Sequence, residues 1–170
     1  MLTPFSDKRL WLVIIIVSVM LVGCSGPNIE NQLSAKLLKT EKTLPEDMFG
    51  SLIVEVATSE KRMNDLWQRF GLRESIPVVN FAVDDVYFVG MLESGSCELK
   101  YAGVGKDEVN QELVIHVTNS NQMCTLDGVP RSYVLAVDKE SSIASQKANL
   151  IEWYNSKAGK KRESVPIVRN

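Results

Sequence analysis

Hydrophobic positions follow three successive patterns along this chain. From Leu10 to Gly23 they form a run of fourteen residues without a charge, entered by Lys8-Arg9 and closed by Cys24. From Leu52 to Val137 the pattern is mostly alternating. Leu52, Val54 and Val56 alternate with Ile53 and Glu55, a period of two that predicts a strand. Met63, Leu66, Trp67 and Phe70 then fall at i, i+3, i+4 and i+7, opposite Lys61, Arg62, Asp65, Gln68 and Arg69. That stripe predicts a helix packed on the core, capped by Thr58 or Ser59 and ended by Gly71. Pro77 opens a predicted short strand over Val78–Phe81, and Asp84-Asp85 reads as a turn. Val86 to Leu92 is nearly continuous in apolar residues, as in a strand covered on both faces. Cys97, Leu99 and Tyr101, then Leu113, Ile115 and Val117, then Tyr133, Leu135 and Val137 predict three further strands. In the third pattern, Ile143, Leu150, Ile151 and Tyr154 share one side of a helix predicted over Ser141–Ser156. Residues from Gly159 onward read as a frayed tail.

Five or six short strands in meander spacing with one early helix predict an α+β or mainly β fold, a small antiparallel sandwich with a second helix near the C-terminus. The same patterns divide the chain. Residues 1–23 form a leader. Residues 24–43 are polar and read as a tether after Cys24, which as flexible coil would span roughly 25 Å. Ile29, Leu33, Leu37 and Leu38 leave open a short helix within it. Residues 44–156 form the globular domain, and residues 157–170 a basic flexible tail.

The leader has the three parts of a secretory signal: positive charge, a short apolar core and a small-residue cleavage site. Leu21-Val22-Gly23-Cys24 resembles the lipobox of bacterial lipoproteins. That resemblance implies that Cys24 is lipidated and becomes the first residue of the mature chain. A thiol forms the thioether to diacylglycerol, and Gly23 leaves a peptidase room at the bond. Two or more acyl chains hold a protein stably on a bilayer. The competing reading is an uncleaved membrane helix, for which the run is short of the roughly 20 apolar residues a span needs. The expected location is the extracytoplasmic side of a cell membrane.

Charge and cysteines narrow the rest. Without residues 1–23 the chain has 147 residues, with 17 Lys and Arg against 20 Asp and Glu, a net charge of −3. No clustered basic face points to nucleic acid. Of three cysteines, Cys24 is taken by the anchor, which leaves Cys97 and Cys124. Outside the membrane disulfides persist, and a bridge between these two is the expected structural staple. The alternative is a pair of separate thiols. The CxxC spacing of redox motifs is missing.

No residue set predicts catalysis, a cofactor or a metal. His116, the one histidine, is a conceivable general base but reads as a half-exposed strand residue, out of phase with Leu113, Ile115 and Val117. No serine stands in a GxSxG elbow to complete a triad. Asp84, Asp85, Asp127 and Asp138 lack the tight oxygen spacing of a calcium loop. One His and two paired Cys do not make a zinc site. Gly103-Val104-Gly105 lacks the third glycine of a phosphate loop. Lys157, Lys160, Lys161 and Arg162 read as solvated, with contact to anionic lipid as the alternative.

The order of strand, capped helix with Trp67, Pro77-Val78-Val79-Asn80-Phe81, apolar strand, Gly90-Met91-Leu92-Glu93-Ser94-Gly95, two strands and Pro130-Arg131-Ser132-Tyr133-Val134-Leu135 resembles the PrcB C-terminal-like family over residues 50–140. That family is named for a subunit of a surface protease complex. Its Gly-rich turn usually carries a threonine and two glycines before an aromatic residue, where this chain has Ser94-Gly95-Ser96-Cys97. The two-cysteine form, Ser94-Gly95-Ser96-Cys97 with Cys124-Thr125-Leu126-Asp127, is similar to small lipoproteins of Gram-positive bacilli. Neither resemblance brings a catalytic residue. The expectation is a non-enzymatic lipoprotein, held on the membrane through Cys24, that binds a protein or cell-envelope partner. A regulator or stabiliser of an exported protease, and an envelope hydrolase using His116, are the alternatives.

Overall fold

The computed structural model describes residues 29–48, 52–119, 123–154, 157–161 and 164–169. The predicted leader and Cys24 lie outside them. Among the described residues are strands β1 (Ala35–Glu41), β2 (Ile53–Ala57), β3 (Asp84–Ser94), β4 (Lys100–Asp107), β5 (Glu112–Asn119), β6 (Gly128–Asp138), β7 (Lys147–Tyr154), β8 (Lys157–Lys161) and β9 (Val165–Arg169). Two helices accompany them, α1 (Glu60–Arg69) and α2 (Lys139–Ser142).

Helix α1 forms where its stripe predicts. The Ser59 side chain accepts from Arg62 N at its start, and Gly71 takes φ +62° just past its end. Met63, Leu66, Trp67 and Phe70 are buried against Ile53, Val86, Phe88 and Val134 on one face of the sheet. Gly90 makes this seat possible. A Cβ there would lie 2.5 Å from Leu44 Cδ2 and 2.8 Å from Ile53 Cγ2.

The strands join in the order β1-β6-β3-β2-β9-β7-β5-β4, with β8 paired to β7. The two ends of this path then meet. Leu33 N donates to Val104 O at 2.8 Å and Lys106 N to Asn31 O at 3.1 Å, around a bridge between Gln32 and Gly105. The sheet therefore curls into a nearly closed barrel. Its inside is filled by alternate residues of every strand on the path except β1, among them Val54, Tyr87, Val104, Ile115, Leu135, Leu150 and Ile167, with Ala35 of β1 packed against them.

The mainly β expectation holds; the sandwich does not. One mixed sheet replaces two antiparallel ones, and it has more strands than the five or six expected. Periodicity tells which face a residue occupies, not which strand lies beside it. The pairings that bend the sheet are long-range and parallel: β2 with β9, and β5 with β7. A meander cannot produce a parallel pair, which needs a crossover.

Five segments differ locally. The predicted helix over Ser141–Ser156 is mostly β7; only α2 before it is helical. Ala148 and Leu150 are buried inward, so the period is two and not 3.6. The predicted flexible tail supplies β8 and β9, because Ile167 finds a place in the barrel core between β2 and β7. The predicted tether is barrel from Asn31 onward and includes β1. Val78–Phe81 is irregular with Val78 fully exposed, whereas Asp84-Asp85, read as a turn, opens β3.

Candidate functional site

The outer face of β5 and β7 carries the one histidine. The two strands run parallel with Val114 beside Asn149, His116 beside Ile151 and Thr118 beside Trp153. Since Leu113, Ile115, Val117, Ala148 and Leu150 point into the barrel, the intervening residues share the opposite face. Helix α1 covers a different part of the barrel, and among the described residues no helix lies over this one. The Asn31–Leu33 segment that closes the barrel edges it instead. A cavity of about 520 Å³ results, with Glu30, Lys106, His116, Asn149, Ile151 and Trp153 among its walls.

His116 is only 5% exposed, less than the half-exposed strand residue expected. Trp153 Nε1–H donates to its Nδ1 at 2.8 Å, and the two rings lie 5.8 Å apart. An indole N–H is donor only, so Nδ1 is the unprotonated nitrogen and Nε2 carries the hydrogen. Burial lowers the imidazole to about 4 from its ordinary 6.5. The ring is neutral at physiological pH. With Nδ1 occupied and the pKa this low, His116 is a poor general base.

Asn149 is fully buried. Its Nδ2 donates to Glu112 Oε2 at 2.7 Å, while its Oδ1 has no partner. A buried acceptor without a partner calls for a water or a ligand. Local sequence patterns missed both Asn149 and Trp153 because their stretch read as helix. The signal was present: Ala148 and Leu150 alternate with Asn149 and Ile151.

The other sequence candidates are scattered. Cys97 is bonded to Cys124, with S–S 2.00 Å and Cα atoms 5.5 Å apart. Asp85 is buried inside the barrel end and pairs with Lys139 Nζ at 3.3 Å. Asp84 stands opposite Asp138 in the β3–β6 pair. Asp138 caps α2, accepting from Ser141 Oγ and from Ser141 N, and these bonds hold its carboxyl below the usual range. Asp127 lies at the opposite end of β6, where Thr125 Oγ1 and Gly95 N donate to it and lower its pKa. Among the described residues no group of three or more His, Cys, Asp or Glu could hold a metal ion. Lys157 is exposed in β8; the side chains of Lys160 and Lys161, and all of Arg162, lie outside the description.

The fold and site together define a nearly closed mixed β-barrel with one flanking helix and an open cavity on its outer wall. Comparison with protein-family models, with curated proteins and with solved structures gives no match.

Proposed function

We propose that the chain is a membrane-anchored extracytoplasmic lipoprotein whose barrel binds a cell-envelope partner and catalyses nothing. The observation that carries the binding half is the cavity beside His116. Its imidazole is neutral, with Nδ1 taken by Trp153. Such a site offers fixed hydrogen-bonding groups, and its histidine is not poised to move a proton at neutral pH. The anchoring half rests on Lys8-Arg9, the apolar run and Leu21-Val22-Gly23-Cys24. The Cys97–Cys124 bond suits a compartment where disulfides persist.

The barrel edge changes what the anchor means. Because Asn31 already pairs with β4, only residues 25–28 separate Cys24 from Ile29. Five residue steps reach at most about 18 Å. The barrel then sits close to the bilayer, not on a long leash.

Metabolic labelling with a fatty acid tests the anchor. The expected result is label on the membrane fraction and none on Cys24→Ser. A full-length, unlabelled product in the cytosol would end this reading.

A further inference from the structure

We propose that the outer cavity binds an acetamido sugar, an amino sugar whose nitrogen carries an acetyl group. This deepens the proposed envelope-binding function and rests on it for the setting, but not for the chemistry. The carrying observation is a buried acceptor without a partner, Asn149 Oδ1, near an unused donor of a mostly buried residue, His116. Asn149 Oδ1 is buried and accepts nothing. Nε2–H of His116 donates to no group among the described residues. The parallel register sets the two residues one diagonal step apart on the same face. A charged ligand group would satisfy one of them and oppose the other. A secondary amide satisfies both, with its N–H to Asn149 and its carbonyl to His116, from opposite edges of one planar group.

The remaining walls suit the rest of such a sugar. Val114 and Ile151 give an apolar surface for the acetyl methyl. The indole of Trp153 is held in place by its bond to His116 and offers a flat face to the C–H side of a pyranose. At the rim Glu30 is exposed and accepts from hydroxyls. Glu30, Asp107 and Glu108 outnumber Lys106 there, which opposes an anionic ligand. Lys106 is itself engaged with Glu108 at 3.4 Å. A volume of about 520 Å³ falls within the range of small-molecule sites and holds one or two sugar rings.

The chain has one histidine, so histidine labelled with carbon-13 gives a single imidazole signal inside the cavity. The processed full chain, in detergent micelles, is titrated with N-acetylglucosamine, glucose, glucosamine and an N-acetylated alanine methylamide. The expected result is a saturable shift with N-acetylglucosamine that is at least about tenfold weaker with glucose and glucosamine, because both leave the Asn149–His116 pair unsatisfied. Asn149→Leu should weaken the sugar at least about tenfold. Ile151→Trp fills the cavity from its exposed side and should abolish the shift while thermal unfolding stays unchanged, which keeps the test valid if Asn149→Leu misfolds. Equal shifts with glucose, or no saturable shift, would overturn the proposal. So would a response to the methylamide with none to the sugar, which would assign the site to peptide. Acylation of Cys24 is read on the same material by mass, so a missing anchor and an empty cavity are separate results.

Discussion

Trp153 Nε1–H donates to His116 Nδ1 at 2.8 Å across two parallel strands. That bond, together with burial, fixes the imidazole as a neutral tautomer. Folded, the ring titrates at about 4; unfolded, it returns to 6.5. Between those values the unfolded chain holds the extra proton, so acid favours unfolding. The stabilisation is complete above pH 6.5 and lost near pH 4. Wild-type stability should fall over that interval by about 2–3 kcal/mol more than that of His116→Gln. Urea unfolding at stepped pH measures the difference; identical pH slopes for the two proteins would contradict it.

Glu55 sits under α1 with its side chain 5% exposed, and Arg62 and Arg69 reach it at 2.8 and 2.7 Å. Spacing of seven residues puts both guanidiniums on one helix face, two turns apart. The carboxylate thus ties the two ends of α1 to β2. Glu55→Ala removes the charge that both arginines neutralise. Both are partly exposed, so the loss is smaller than for a fully buried pair, about 2–3 kcal/mol. Equilibrium unfolding in urea should show a lower midpoint at unchanged slope.

Gly90 faces α1 from the middle of β3, where Leu44, Ile53 and Phe70 close over the bare Cα. Gly90→Ala places a methyl 2.5 Å from Leu44 Cδ2. Repacking should cost about 1–3 kcal/mol. The expected readout is a lowered melting temperature with the Trp67 environment altered in near-ultraviolet circular dichroism. An unchanged melting temperature would show that the Leu44 side chain moves aside freely.

Helix α1 was legible because all its information is local. The stripe from Met63 to Phe70, the Ser59 cap and the Gly71 stop lie within thirteen residues. The cavity was not legible in the same way. Its bonds, Asn149 to Glu112 and Trp153 to His116, each span 37 residues and depend on the β5–β7 register. That register follows from barrel closure, which no window of the sequence encodes. Ile143, Leu150, Ile151 and Tyr154 imitate a helical stripe, yet Leu150 points inward and Ile151 outward. The disulfide lies between these cases. The compartment and the count of cysteines pointed to Cys97–Cys124, and the end of the β3–β6 pair, where Ser94 stands opposite Gly128, brings the two together.

Cys97 and Cys124 are 27 residues apart. Closing a loop of that length restricts the unfolded chain, by about 3–4 kcal/mol on the chain-entropy account. Replacing both with serine should lower stability by that order while leaving the far-ultraviolet spectrum β-rich. Mass before and after alkylation should count no free thiol at either position in the native protein.

The last five described residues make the sharpest test of the barrel. Read as sequence, the segment from Gly159 onward is a frayed tail of a basic, flexible C-terminus. Among the described residues, β9 is the strand that joins β2 to β7. Ile167 is buried in the core, and Arg169 donates to Tyr87 Oη at 3.0 Å and to Ser145 O at 3.1 Å. A chain ending at residue 164 would expose the facing edge of β2 and the inner residues Val54 and Val56, and unpaired edges invite aggregation. That chain should be recovered mainly as insoluble or molten material that binds a hydrophobic dye. A milder variant, Ile167→Ala, should stay folded and lose about 2–4 kcal/mol. If the shortened chain melts with the cooperativity and midpoint of the full one, β9 is not part of the stable barrel, and the closure argued from its pairings fails.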